Sequence, residues 1–112
     1  MELVISRWDF FSIKRRNQMP EDLDQIIHQP IRTKIIALLL SSGSADYSTI
    51  KNTLGITDGH MSTHMKLLTS EKYVEMEKAF VDNKPKTTYS LTKLGKKKFS
   101  EYVNSLKQII DI

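Results

Sequence analysis

A chain of 112 residues is long enough for one domain and too short for two; area scaling gives about 6,300 Å² exposed when folded against roughly 18,900 Å² when open, a modest core that needs no staples. With 39% hydrophobic and 27% charged residues the composition is globular, and the absence of cysteine excludes disulfides, thiolate metal sites and cysteine nucleophiles. Seventeen basic against thirteen acidic residues leave a net charge of +4, a weak pointer to anionic partners whose distribution matters more than its size.

Residues 1–20 read as an amino-terminal extension. Met1, Val4, Ile5, Trp8 and Phe11 fall at helical spacing, predicting a short amphipathic helix, followed by Lys14, Arg15 and Arg16 and ended by Pro20. Its apolar stripe must be covered, either by its own domain or by a second copy of the chain. The segment lacks the basic leader and apolar stretch of a signal peptide, and no window reaches the roughly 18 apolar residues of a membrane span. The expectation is a cytoplasmic protein with no membrane partner.

From Glu21 the pattern firms. Leu23, Ile26 and Ile27 predict one or two helical turns. Pro30 suits the first position of a helix in which Ile31, Ile35, Leu38 and Leu39 face inward, with Gly43 as the stop. Asp46 is a good N-cap for a second helix, with Tyr47, Ile50 and Leu54 inward, closed by Gly55. Thr57 can cap a third helix running to about Ser70, its buried edge being Met61, Met65 and Leu68. After Lys72 the period changes from 3.6 to 2: Val74 and Met76 alternate with Glu75 and Glu77 in a half-buried strand reaching about Val81. Asp82-Asn83-Lys84-Pro85-Lys86 is turn chemistry, and Thr87–Leu91 returns as a second strand. Thr92 caps a final helix carrying Phe99, Tyr102, Val103, Leu106, Ile109 and Ile110. The predicted class is mainly α with a small β-hairpin (α+β).

Two helices joined through Leu54-Gly55-Ile56-Thr57 make a tight corner of the helix-turn-helix type, in which the second helix enters the major groove of DNA. Projected at 100° per residue, Met61, Met65 and Leu68 cluster on one side of residues 57–71. Gly59, Thr63, Lys66 and Ser70 lie opposite, flanked by His60, Ser62, His64 and Leu67. That outer face is small and polar, with one cation and no carboxylate after Asp58. Such residue types suit phosphate oxygens and base edges, although a solvated face remains the alternative. Asp58 suits the helix dipole and would repel phosphate if it pointed outward. The charge is uneven: residues 1–71 hold eight cations and eight anions, residues 72–98 eight and three, and residues 99–112 one and two. The excess therefore lies on the hairpin, with Lys78, Lys84 and Lys86, and on Lys93, Lys96, Lys97 and Lys98 beyond it. For the last three lysines a solvated helix face is the competing reading.

These segments resemble winged helix-turn-helix transcriptional regulators of the broad MarR/ArsR type over roughly residues 22–110. The likeness is carried by LDQIIHQPIRTKIIALLL, DYSTIKNTLGITDGHMSTHMKLLTSEKYV and TTYSLTKLGKKKF. Compact prokaryotic members show a similar Thr-Asp-Gly-x-x-Ser-x-His recognition helix and a Thr-x-Tyr-x-Leu-Thr-x-x-Gly end to the wing. The resemblance implies a winged-helix core over 21–91 and sequence-specific binding of double-stranded DNA by a homodimer, with Thr57, Gly59, His60, Ser62, Thr63, His64 and Lys66 near bases or phosphates. Lys78, Lys84 and Lys86 would contact the backbone or minor groove. Residues 1–20 are not part of the pattern.

The carboxy-terminal helix, 92–112, is too apolar to stand free. Phe99, Tyr102, Val103, Leu106, Ile109 and Ile110, with Trp8 and Phe11, are the expected dimer contact. His60 and His64 share the i, i+4 spacing of a metal pair, but Met61 stands where the zinc-protease pattern needs Glu, so no metal and no cofactor are expected. No glycine-rich phosphate loop and no legible nucleophile–base arrangement support an enzyme. A protein–protein docking module is the alternative function. A small-molecule effector is left open, since pockets in such dimers leave little trace in one sequence.

Overall fold

Four helices and three strands follow one another over residues 23–111, the residues described by the computed structural model: α1 (Pro30–Ser42), β1 (Ser44–Asp46), α2 (Tyr47–Leu54), α3 (Asp58–Ser70), β2 (Val74–Val81), β3 (Lys84–Leu91) and α4 (Lys93–Ile110). The expected amino-terminal helix, with Trp8 and Phe11, lies outside them. Each helix begins where a side chain accepts an otherwise orphaned backbone N–H. Asp46 accepts from Thr49, Thr57 from His60 and Thr92 from Gly95, as expected, and Gln29 from Arg32. Pro30 occupies the first turn of α1, and Gly43 and Gly55, at φ of 84° and 63°, close α1 and α2.

The core gathers Ile27, Ile35, Ile36, Leu39, Ile50, Met61, Met65, Leu68, Tyr73, Val74, Tyr89, Leu91 and Tyr102. On α1 the buried set is Ile35, Ile36 and Leu39, with Ile31 and Leu38 only partly covered. A single predicted stripe missed Ile36 because α1 is the central helix. It touches α2, α3, α4, β1 and β3, so more than one of its sides is covered.

The sheet departs from the predicted hairpin in two ways. A third strand, β1, pairs antiparallel with β3 from Ser44↔Ser90 to Asp46↔Thr88, giving the order β1-β3-β2. Three residues are too few for an alternation to be visible, and their partner lies more than forty positions along the chain. The turn is also shorter than expected. Asp82 and Asn83 alone make it, both at positive φ (55° and 61°), which matches the twist of the flanking strands. Lys84, Pro85 and Lys86 belong to β3, paired with Val81, Phe80 and Ala79. Pro85 is tolerated because β1 reaches no further than Thr88, leaving β3 with one neighbour there.

The expected half-burial of β2 holds only at its first residue. Val74 is buried, whereas Met76 and Phe80 on the same face are 48% and 78% exposed. The helices cover the sheet as far as Leu91 and Tyr89 on β3, and beyond that the hairpin projects as a free ribbon.

α4 is seated by one close approach. A Cβ at Gly95 would stand 2.1 Å from the Tyr73 carbonyl oxygen, so only glycine fits. The Thr92 hydroxyl accepts from the Gly95 N–H at 2.9 Å and donates to the Lys72 carbonyl at 2.6 Å, tying α4 to the turn that precedes β2. Tyr102, expected at a contact between copies, is instead buried within the protomer, its hydroxyl 2.8 Å from His28 Nδ1. Tyr73 donates to Asp24 Oδ2 at 2.7 Å, so the turn at 24–28 is lashed to the core from two sides.

Candidate nucleic-acid interface

The helix-turn-helix is made by α2 and α3, joined by Gly55, Ile56 and Thr57. Met61, Met65 and Leu68 bury one edge of α3. This leaves Gly59, Thr63, Lys66 and Ser70 exposed on the opposite side, as the projection predicted, with the flanking His60 and Ser62 exposed beside them and Thr57 exposed at the cap. His64 and Leu67 are half-buried at the margins.

Asp58 is the one acid in the first turn of α3, and its charge is met from α2. Lys51 Nζ lies 3.1 Å from Oδ1, and the Tyr47 hydroxyl donates to the same oxygen at 3.0 Å. The hydrogen bonds and charge of these partners hold the carboxyl below its ordinary range. The sequence suggested a choice between dipole stabilisation and repulsion; the structure adds a cross-helix ion pair, although the carboxylate side chain stays 72% exposed. Nothing local signalled it, because Lys51 and Asp58 meet only once the corner is folded.

His64 is engaged by a residue that the pattern did not single out. The Arg32 guanidinium donates to His64 Nδ1 at 2.9 Å from α1. Burial above all, then the charges of Arg32 and His60, pushes the His64 ring below its ordinary value of 6.5, favouring the neutral form. The rings of His60 and His64 lie 6.3 Å apart and are tilted by 59°. Among the described residues no set of three His, Asp or Glu could hold a metal.

The hairpin lysines divide between two faces. Lys78 shares its side of β2 with Val74, Met76 and Phe80, whereas Lys84 and Lys86 lie on the other side of the sheet, with Glu75, Glu77 and Thr88. Lys86 Nζ is 4.0 Å from Asp46 Oδ2, across the β1–β3 pair. An open cleft of about 530 Å³ runs between the start of α2 and this face, lined by Asp46, Tyr47, Ser48, Lys84 and Lys86 among others.

On α4, Phe99, Val103, Leu106 and Ile109 are partly buried and Ile110 is 74% exposed. None of the described helices is long and apolar enough to cross a membrane.

A helix-turn-helix backed by a three-stranded antiparallel sheet, whose last two strands project past the core, is a winged helix. The family of winged helix DNA-binding domains matches residues 31–110, and the chain belongs to it. The chain is 29% identical over 85 residues to the uncharacterized protein MJ0432 of Methanocaldococcus jannaschii, covering 76% of this chain and 92% of that one. It superposes on a transcriptional regulator homologue from Pyrococcus horikoshii OT3 with a TM-score of 0.76 at 26% identity, over 88% of this chain and 95% of the other. It shares its fold with NadR, solved in complex with 4-hydroxyphenylacetate, at a TM-score of 0.66 and 19% identity, over 96% of this chain and 73% of that one. The fold and the winged-helix regulator family expected from the sequence both hold.

Proposed function

We propose that this protein is a sequence-specific regulator of transcription that binds double-stranded DNA as a homodimer. α3 lies in the major groove, and the wing of β2 and β3 lies against the backbone or minor groove. The observation that carries the reading is the outer face of α3. Gly59, His60, Ser62, Thr63 and Lys66 stand exposed together with no carboxylate among them, and the adjacent Asp58 is paired with Lys51. Polar side chains of this size reach base edges, and the net positive wing supplies contacts to phosphate. The docking-module alternative needs an apolar or acidic outer face. Leu67, its one supporting residue, is half-buried.

Residues 21–91 form the DNA-binding core in this reading, while 1–20 and 92–112 serve the contact between copies. A twofold dimer reads half-sites about 34–36 Å apart. Action on DNA puts the protein in the cytoplasm. The small molecule held by NadR supports a ligand-responsive regulator, with the ligand here unspecified. No catalytic role and no resident metal enter the reading.

The test is selection of bound sequences from a random DNA pool, followed by a salt series on the selected site. A pseudo-palindromic consensus is expected, with affinity that falls steeply as salt rises through counterion release. Binding without sequence preference, or binding independent of salt, overturns the proposal.

A further inference from the structure

α3 carries two histidines one turn apart, and the fold treats them differently. His60 is exposed; His64 is half-buried, with its Nδ1 turned to Arg32 at 2.9 Å. A guanidinium has five N–H donors and no acceptor, so the nitrogen facing it must offer a lone pair. Arg32 is itself held on its far side. Its Nε donates to the Ile26 carbonyl at 2.6 Å and its Nη2 to the Gln25 carbonyl at 3.3 Å. Its backbone N–H donates to Gln29 Oε1 at 2.8 Å. The donor is therefore placed by the 24–28 turn and the start of α1, not by α3. With Nδ1 bare, a neutral imidazole carries its proton on Nε2, the nitrogen on the other side of the ring.

We propose that Arg32 is a positioning residue that holds His64 in the neutral Nε2–H tautomer, so that the recognition helix presents a hydrogen-bond donor at this position and not an acceptor. The inference rests on the DNA reading of α3. Its chemical consequence is a preference for acceptor atoms, namely N7 and O6 of guanine, N7 of adenine, O4 of thymine or a phosphate oxygen, over the amino groups of cytosine and adenine. A histidine free to exchange tautomers would tolerate both. The same arrangement couples the turn that carries Gln25 and Ile26 to the face that reads DNA, through one side chain.

Histidine-ring nitrogen NMR on the full, unaltered chain at pH 8 tests the first half directly. His64 is expected to show a bare Nδ1 and a protonated Nε2. A protonated Nδ1, or an even mixture, overturns the proposal without any variant having to fold. Arg32→Met removes the donor while keeping apolar bulk. It should introduce the second tautomer and move the His64 titration to higher pH, whereas Arg32→Lys, which still donates, should restore the wild-type pattern in part. Unchanged His64 signals in Arg32→Met count against the assignment.

The second half is read on the selected DNA site. Arg32→Met should lower the preference for that site over random sequence by about fivefold, as for one neutral hydrogen bond. His64→Ala removes the ring and should itself lose that preference, and Arg32→Met added to it should cost nothing more. Equal losses in both backgrounds mean that Arg32 does not act through His64. If the wild-type chain selects no DNA sequence, the DNA reading falls, while the ring spectra still decide what Arg32 does to His64.

Discussion

Gly59 and Gly95 look alike in the sequence, both in the first turn of a helix, yet they meet opposite surroundings. At Gly95 an added methyl collides with the Tyr73 backbone, so Gly95→Ala should destabilise the fold by about 1–3 kcal/mol despite alanine's better helix propensity, seen as a lower Tm. At Gly59 the nearest atom is the Thr57 hydroxyl at 3.9 Å, ordinary contact. Gly59→Ala should therefore keep or raise stability, by up to about 1 kcal/mol, and yet weaken DNA binding if the backbone approaches the groove there. Thermal melts beside binding assays separate the two effects. His64 gives the pH dependence. Its folded value lies below 6.5, so in acid the unfolded chain takes up the proton first. Its contribution is present above pH 6.5 and is lost as pH falls through the folded value. Wild type should lose stability relative to His64→Gln over that window, and parallel denaturation curves at pH 8 and pH 5 would refute this. The exposed residues of α3 were legible because helical periodicity separates them from Met61, Met65 and Leu68. Arg32 and Lys51 were not, since each meets its partner only through the packing of different helices.

At the scale of elements, caps and stops transferred directly from sequence to structure. Asp46, Thr57 and Thr92 each accept a backbone N–H within three residues, so their effect is complete before any tertiary contact forms. The wing transferred less well. Its length, its two-residue turn and its third strand depend on register, which is set by partners distant in the chain. Register also divides its lysines. Lys84→Ala should weaken binding to all sequences alike and reduce the salt slope by about one. Lys86→Ala should cost less, because part of its charge already answers Asp46 at 4.0 Å and is not free for phosphate. Salt titrations of the two variants check the order; equal losses would show that the Asp46 contact does not persist in solution.

For the whole molecule the proposed dimer is tested at the end of α4. Ile110 is 74% exposed near the end of α4, so Ile110→Glu should leave the stability of a protomer within about 0.5 kcal/mol. If α4 pairs across a twofold axis, the same change should shift the mass by light scattering from twice 13.0 kDa toward 13.0 kDa at micromolar concentration. A wild-type monomer under those conditions removes the dimer from the proposal. Tyr102 no longer belongs to that expected contact. An amphipathic stripe says which side of a helix must be covered, but not whether its own protomer or a second copy does the covering.

By itself the sequence determined the helices with their caps, the period change after Lys72, the small polar face of α3 and the concentration of positive charge on residues 72–98. All of these follow from neighbours a few positions apart, where spacing and side-chain chemistry act alone. Only the tertiary structure decided that β1 completes the sheet, that Met76 and Phe80 stand free, that Lys51 meets Asp58 and that Arg32 holds the Nδ1 of His64. Each of these depends on groups remote in the chain being brought within a few ångströms. Hydrophobic burial drives that approach without naming the polar partners that will meet, so the pairing is written in the packed geometry and not in any local pattern.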